Sequence, residues 1–272
     1  MSVVETALRI SAVKAVEASG IFSPSRVYDS AFLPVDKVST ENPEPFLIIS
    51  TETGTSNPSG RDTQAGDWTI DFVLEFGLSK AIAVRVPDGE DEIELQLVDT
   101  DAGLEASMAI LIRQVMTCLF GRGGGEWGEV FRSLNSQIKE VVSRRGVSAS
   151  EGSRFAARQI TQTLQMISDP PYATPLIEES PLFTFLALAE ADAQLQAIAQ
   201  ALRNAIEGVP QDWPAVYNAA AVMGGYTDSE ADKLGFGLLE PEEAPPLVSE
   251  ITVSEDGGED FVINDETVDE EP

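Results

Sequence analysis

Two glycine-containing segments have residue spacings that approach those of ligand-binding loops. Residues 99–103 (Asp-Thr-Asp-Ala-Gly) open like a calcium loop, which also needs an oxygen ligand at its fifth position and a glutamate at its twelfth. Those positions hold Gly103 and Ile110, so the acids instead favour the start of a helix. Residues 121–125 (Gly-Arg-Gly-Gly-Gly) lack the Lys-Ser/Thr pair of a phosphate-binding loop and predict a flexible connector.

The residue types present exclude several classes of catalysis. Histidine is absent from the 272 residues, which excludes Ser-His-Asp and Cys-His catalysis and histidine-based metal sites. The single cysteine, Cys118, excludes an intramolecular disulfide and cysteine-held zinc, and we expect its thiol to be buried. Paired carboxylates could hydrolyse glycosides, but among 46 acidic residues no pair stands out. The sequence therefore predicts no catalytic residue, cofactor or metal.

The charge balance bears on the kind of partner. Against the 46 acidic residues stand 17 basic ones, a formal net charge of −29. Because nucleic-acid binding needs clustered positive charge, we expect no direct nucleic-acid partner. No uninterrupted apolar stretch of 18 residues occurs and the N-terminus lacks a signal-peptide pattern, so we expect no membrane span and synthesis in the cytosol.

Two groups of charged residues are candidate partner contacts. The first is an acidic turn between two predicted strands. It contains Asp88, Glu90, Asp91 and Glu92. The second, Arg144 and Arg145, belongs to the segment 122–158, which has seven basic and four acidic residues. Complementary charge would set register against a partner. Both groups are also compatible with plain solvated surface, and both interpretations stay open.

The first hundred residues predict a helix packed on a mostly antiparallel sheet. Ser2 and Glu5 form a capping-box pattern at the start of the helix, and Gly20 is placed to end it. Strands are predicted at Val27–Tyr28, Phe46–Thr51, Trp68–Phe76, Ala81–Val86 and Ile93–Val98. A projecting loop is predicted at Gly54–Gly60.

After residue 101 the apolar period becomes helical. A 4-3-4-3 spacing from Leu104 to Cys118 predicts one long helix. Further apolar stripes predict helices over 127–141, 156–167, 188–206 and 214–223. We therefore divide the chain into an α+β domain (1–120), a helical block (121–235) and an acidic C-terminal segment (236–272). The predicted fold class is α+β, with a mostly antiparallel sheet, flanking helices, the extra helical block and an acidic hairpin.

The C-terminal segment is acidic throughout. No basic residue follows Lys233, and residues 234–272 contain 13 acids. Leu247–Val253 and Phe261–Ile263 flank a turn sequence and predict a hairpin. From about Asn264 the composition predicts a disordered end.

The order of the N-terminal elements resembles that of tail terminator (tail completion) proteins of long-tailed bacteriophages. The resemblance covers roughly residues 1–120 and consists of patterns of low specificity. The segments that carry it are Ala7–Ile10, Arg26–Ser30, Pro45–Thr51, Trp68–Phe76 and the helix that begins near Asp101. The helical block and the acidic C-terminal segment lie outside it.

The resemblance implies a non-enzymatic virion protein without a cofactor. It would form a homo-oligomeric ring, a hexamer, that caps the tail tube and joins it to the head. Its partners would be further copies of itself, the tail tube protein and a head or neck connector. It would be made in the host cytoplasm and reside in the tail or neck of the virion. Alternatives are another tail or neck component, a carboxylate-dependent cell-wall hydrolase and an acidic cytosolic adaptor or chaperone.

Overall fold

The computed structural model divides the chain into two compact units, Met1–Gln211 and Asp212–Pro272. It describes residues 2–30, 44–56, 66–81, 101–150, 153–224, 250–253 and 261–264. Within this described part, six α-helices accompany a five-stranded and a two-stranded sheet, so the predicted α+β class is confirmed. The domain boundary predicted near residue 120 falls inside the first unit.

Five of the described helices belong to the first unit, and the last one belongs to the second. They are α1 (Val3–Ser19), α2 (Asp101–Phe120), α3 (Gly125–Leu134), α4 (Pro181–Ala191), α5 (Gln196–Glu207) and α6 (Trp213–Met223). The stripe predicted over 188–206 is divided between α4 and α5, because the chain leaves the helix at Asp192 and re-enters it after Leu195. The short helix predicted at 214–223 is confirmed as α6.

The first helix begins and ends as the sequence predicts. The Ser2 hydroxyl accepts a hydrogen bond from the Glu5 amide at 2.9 Å, and the Glu5 carboxylate accepts one from the Ser2 amide at 3.2 Å. This capping box supplies partners for amides that the helix leaves free. Gly20 ends α1 with a φ of 67°, a left-handed conformation that favours glycine.

The large sheet is mixed but mostly antiparallel. Its strands are β1 (Val27–Asp29), β2 (Phe46–Ser56), β3 (Trp68–Ala81), β4 (Asn135–Ser150) and β5 (Ser153–Met166), in the order β1-β2-β3-β5-β4. Only β1 and β2 pair in parallel. The strands predicted at 27–28, 46–51 and 68–76 are confirmed. Since β2 continues through Gly54–Ser56, the loop predicted at 54–60 is wrong in its first three residues. Of the strand predicted at 81–86, Ala81 is the last residue of β3; its remainder and the strand predicted at 93–98 lie outside the described residues.

Helices α2 and α3 pack on one face of this sheet. Phe72 on β3 and Gln162 on β5 are register partners and therefore share a face. The Phe72 ring contacts Phe131 on α3 at 5.4 Å between centroids, and the Gln162 amide lies 3.2 Å from the sulfur of Met116 on α2. We call this side of the sheet the helix face.

The opposite face of the sheet has its own apolar cluster. Phe46 and Ile48 are buried there with Tyr28 and Ala157 packed against them. Gly77 stands opposite Phe46 in the register, and a Cβ atom at Gly77 would lie 2.2 Å from the Phe46 ring. The glycine is therefore required by close approach of an aromatic ring rather than by backbone conformation.

The helix α2 matches its predicted pattern. All five residues of the predicted stripe are buried: Leu104, Met108, Leu111, Val115 and Cys118. By length and composition the segment Ala102–Phe120 could also cross a membrane, with a mean hydropathy of 1.3 over 18 residues. Core helices of soluble proteins pass the same test, so this one helix does not by itself indicate a membrane span.

Two predicted helices are strands. The stripe 127–141 is helical only to Leu134, after which β4 begins, and the stripe 156–167 lies almost entirely in β5. Residues four apart share a face in a strand as well as in a helix, so the spacing of Ile160 and Leu164 fits both. The burial of the intermediate positions distinguishes the strand from a helix. Gln162 is buried while Thr161 and Thr163 are half-buried, which is the period of two of a strand. The block 121–235 is therefore not all helical.

In the second unit, the predicted hairpin forms. β6 (Glu250–Val253) and β7 (Phe261–Asn264) pair antiparallel in a two-stranded sheet. The end predicted to be disordered, after Asn264, lies outside the described residues.

Candidate functional site

The two predicted contact arginines lie on β4, not at the end of a helix. Consecutive residues of a strand point to opposite faces, and Arg144 and Arg145 stand opposite Gln159 and Arg158 respectively. Arg145 belongs to the helix face. Arg144 lines a cavity of about 250 Å³ whose other lining residues include Phe46 and Gln159. The two predicted contact residues therefore lie on opposite faces of the sheet, and their role as partner contacts stays a prediction.

The Arg145 side chain belongs to a three-residue ionic cluster. The Glu105 carboxylate on α2 forms ion pairs with Arg145 on β4 and with Arg158 on β5, each at 3.0 Å, and accepts a hydrogen bond from Arg158. All three side chains remain partly exposed, so the pairing contributes modestly to stability. One carboxylate faces two guanidinium groups, which leaves a net positive charge where α2 meets the strands.

Beside this cluster, a groove of about 400 Å³ runs between α2 and the strands β4 and β5. We call it the α2 groove. Its apolar walls are formed by Met108, Ala109, Ile112, Met116 and Ile160, and its charged lining residues are Glu105, Arg113 and Arg158. Methionine side chains adapt to different partner shapes. The combination of apolar walls and arginines suits an apolar chain segment that carries carboxylates.

The edge of the sheet next to the groove is open in the described part of the chain. β4 has 16 residues and pairs there with β5 alone, so the backbone groups of its other side face outward. Ile138 and Val141 are register partners of Leu164 and Gln162 and lie on the helix face, yet they are 40% and 55% exposed. Ile110 on α2 is 62% exposed. Ile138 and Val141 form an apolar surface that the described chain leaves uncovered, whereas Ile110 lies on the side of α2 away from the groove-lining residues.

Among the described residues, burial raises the pKa of two carboxyl groups, Asp169 and Glu17, and both interact with groups that stabilise the fold. Asp169 accepts hydrogen bonds from the amides of Val3 and Val4, at 3.1 and 2.9 Å, and so caps α1 across a large sequence separation. Glu17 lies beside Lys14 and Asp192. Neither lines the two cavities described above.

The cysteine is buried as predicted. Cys118 is 3% exposed, its sulfur lies 3.4 Å from the Ala15 carbonyl oxygen, and burial raises the pKa of the thiol. The thiol therefore stays protonated and unreactive at neutral pH. Among the described residues, no group of three or more histidine, cysteine, aspartate or glutamate side chains could hold a metal ion.

An ion pair that the sequence did not reveal joins two of the segments on which the resemblance rests. Arg9 on α1 pairs with Asp29 at the end of β1 and also donates to the Ser30 hydroxyl at 2.7 Å. Arg9 is largely buried. The only signal in the sequence was an arginine within the apolar face of a helix, and its partner could not be chosen among 46 acids.

The acidic turn at Asp88, Glu90, Asp91 and Glu92 lies outside the described residues. Its role as a partner contact stays a prediction. No protein-family model matches the chain, and no curated protein matches it significantly.

Proposed function

We propose that this chain is a structural virion protein of a phage tail, the terminator that caps the tail tube and joins it to the head or neck. It assembles into a homo-oligomeric ring, a hexamer, and carries out no catalysis. The edge of β4, which no described strand covers, is the observation that carries this proposal, together with the exposed Ile138 and Val141 on that strand.

An open strand edge is a liability for a protein that stays monomeric. Proteins that stay monomeric shorten, charge or cover such strands, because unpaired backbone groups beside apolar side chains promote association. Four charged residues protect β4 from association only in part. They are Lys139, Glu140, Arg144 and Arg145. A neighbouring copy that covers this edge would satisfy it, and a contact between two different surfaces closes into a ring when the rotation between copies is right.

The element order also supports the proposal. The helix α1, the strands β1 to β3 and the helix α2 follow one another as in the resemblance to tail terminators. The strands β4 and β5 then extend the same sheet, so residues 125–166 enlarge the terminator-like body.

The ring surface can be tested by placing a charge on the open edge. Val141→Glu should prevent ring formation, because the interface would have to bury an unpaired carboxylate. Val209→Glu is the matched control, since Val209 is a similarly exposed valine, 47%, in the segment that follows α5. Electron micrographs of the purified proteins should show rings for the parent chain and the control only. Rings of Val141→Glu would refute the assignment of the β4 edge.

The contact with the tube has a separate test. We assign it to the acidic turn, where Asp88, Glu90, Asp91 and Glu92 would set register against basic residues of the tail tube protein. A terminator needs one surface that matches the tube and another that does not, or the tube would keep growing. Reversal of the four charges to lysine should give overlong or headless tails in micrographs of particles. Tails of normal length joined to heads would contradict this assignment.

A further inference from the structure

The described residues leave the α2 groove uncovered, although its walls are apolar. Within the described residues, only 28% of the apolar window of α2 is buried, and Val141 on β4 stays exposed on the same face of the sheet. Exposed apolar surface that is continuous with an open strand edge marks an interaction site. The question is which kind of chain segment would cover it.

The charge of the α2 groove limits which kind of chain segment could bind in it. Among the described residues around the groove, Arg113, Arg145 and Arg158 stand against a single acid, Glu105, so this part of the surface is positive in a chain of net charge −29. An occupant must therefore supply apolar side chains for the walls and carboxylates for the arginines.

The chain itself contains a segment of that composition. Residues 250–272 include ten acids and no basic residue, and the apolar run Phe261-Val262-Ile263 is followed closely by acids at 265 and 266. Within this segment β6 and β7 form a sheet of two short strands. A two-stranded sheet is marginally stable alone and gains from a third strand or an apolar surface.

We propose that the α2 groove of one copy binds the acidic C-terminal segment, residues 250–272, of a neighbouring copy. The inference rests on the proposed function, because a groove and a segment are two different surfaces, as a closed ring requires. The apolar run of the segment covers Ala109, Ile112 and Met116, and its carboxylates pair with Arg113 and Arg158. The contact is weakened by salt, since its charges lie at the surface.

A disulfide between copies tests this contact in the full-length protein. A chain labelled with heavy isotope carries Ala109→Cys in the groove, and an unlabelled chain carries Asn264→Cys. The two are mixed at high salt, brought to low salt and oxidised mildly. Cys118 is left in place because it is buried. Mass spectrometry should find residue 109 of a heavy chain linked to residue 264 of a light chain. The matched control is Ala197→Cys, an exposed alanine on α5, which should link about tenfold less.

Charge reversal makes the test specific. Arg113→Glu, added to the Ala109→Cys chain, should lower the yield of the link several-fold. The reversals Asp265→Lys, Glu266→Lys, Asp269→Lys and Glu270→Lys in the partner chain should restore it, because the charges are then exchanged rather than lost.

Three results would overturn the inference. One is a yield no higher than that of the Ala197→Cys control, and another is a yield that Arg113→Glu leaves unchanged. The third is a link that forms only within one chain when both cysteines are placed in it. If rings persist in such a case, the proposed function stands and only the occupant of the groove is wrong. If the parent chain forms no rings, the proposed function fails first.

Discussion

The contact between Phe72 and Phe131 gives the sharpest test of how the helices pack on the sheet. Both side chains are completely buried, and their rings lie 5.4 Å apart between centroids. Phe72→Ala removes the apolar burial and leaves a cavity, which should lower the free energy of unfolding by about 3–5 kcal/mol. Tyr172→Ala is the control, because Tyr172 is 59% exposed, and it should cost less than about 1 kcal/mol.

A double-mutant cycle isolates the ring contact from burial. Phe72→Leu and Phe131→Leu keep most of the apolar volume but remove the aromatic pair. Urea unfolding of both single variants and the double variant should give a coupling energy of about 0.5–1.5 kcal/mol, the value expected of an aromatic pair. A coupling near zero, or a Phe72→Ala effect below about 1 kcal/mol, would show that α3 does not pack on β3 as described.

Three further predictions concern stability and are measured by urea unfolding. Gly77→Ala should destabilise by about 1–3 kcal/mol, because the new methyl group meets the Phe46 ring at 2.2 Å, and an unchanged midpoint would contradict that close approach. Arg9→Met should cost about 2 kcal/mol, since it leaves the Asp29 carboxylate without its guanidinium partner, whereas no loss would mean that water replaces it fully. Burial raises the pKa of Asp169 above its ordinary 3.8, so the folded state holds the proton more tightly and stability falls as pH rises from about 4 through the folded pKa. Asp169→Asn should remove that part of the pH dependence, and an identical pH profile would refute the assignment.

The sequence predicted the parts of the fold that local rules determine. The capping residues of α1, the alternation in β3 and the single buried stripe of α2 each have a signal within a few residues. The hairpin β6–β7 was also predicted, from its turn sequence.

The apolar spacing predicted a helix where the structure has the strand β5, because the same spacing fits both elements. Ala156, Ile160 and Leu164 are spaced four apart, which fits a strand as well as a helix, and the decision depended on Gln162, a polar residue buried beside Met116. Burial of a glutamine depends on tertiary packing, so spacing alone could not reveal it. The arginines at 144 and 145 suited a helix end by charge, yet two neighbouring arginines also divide between the faces of a strand.

The candidate site was predictable only in its residue types. Excess positive charge in residues 122–158 was the reason to consider this segment, but Glu105, which joins Arg145 and Arg158, comes from another element. The groove forms from residues more than 40 positions apart, such as Met116 and Ile160. Such a juxtaposition follows from strand order, which the sequence alone did not indicate.

The central claim is that copies of this chain close into a ring, and the mass of the purified protein in solution tests it most directly. Light scattering over a wide range of protein concentrations should give one fixed multiple of the 29.2 kDa chain mass, six for a hexamer. A closed ring leaves no free contact, so the mass should not increase further with concentration. A strict monomer at high protein concentration, or a mass that grows without limit, would contradict the account.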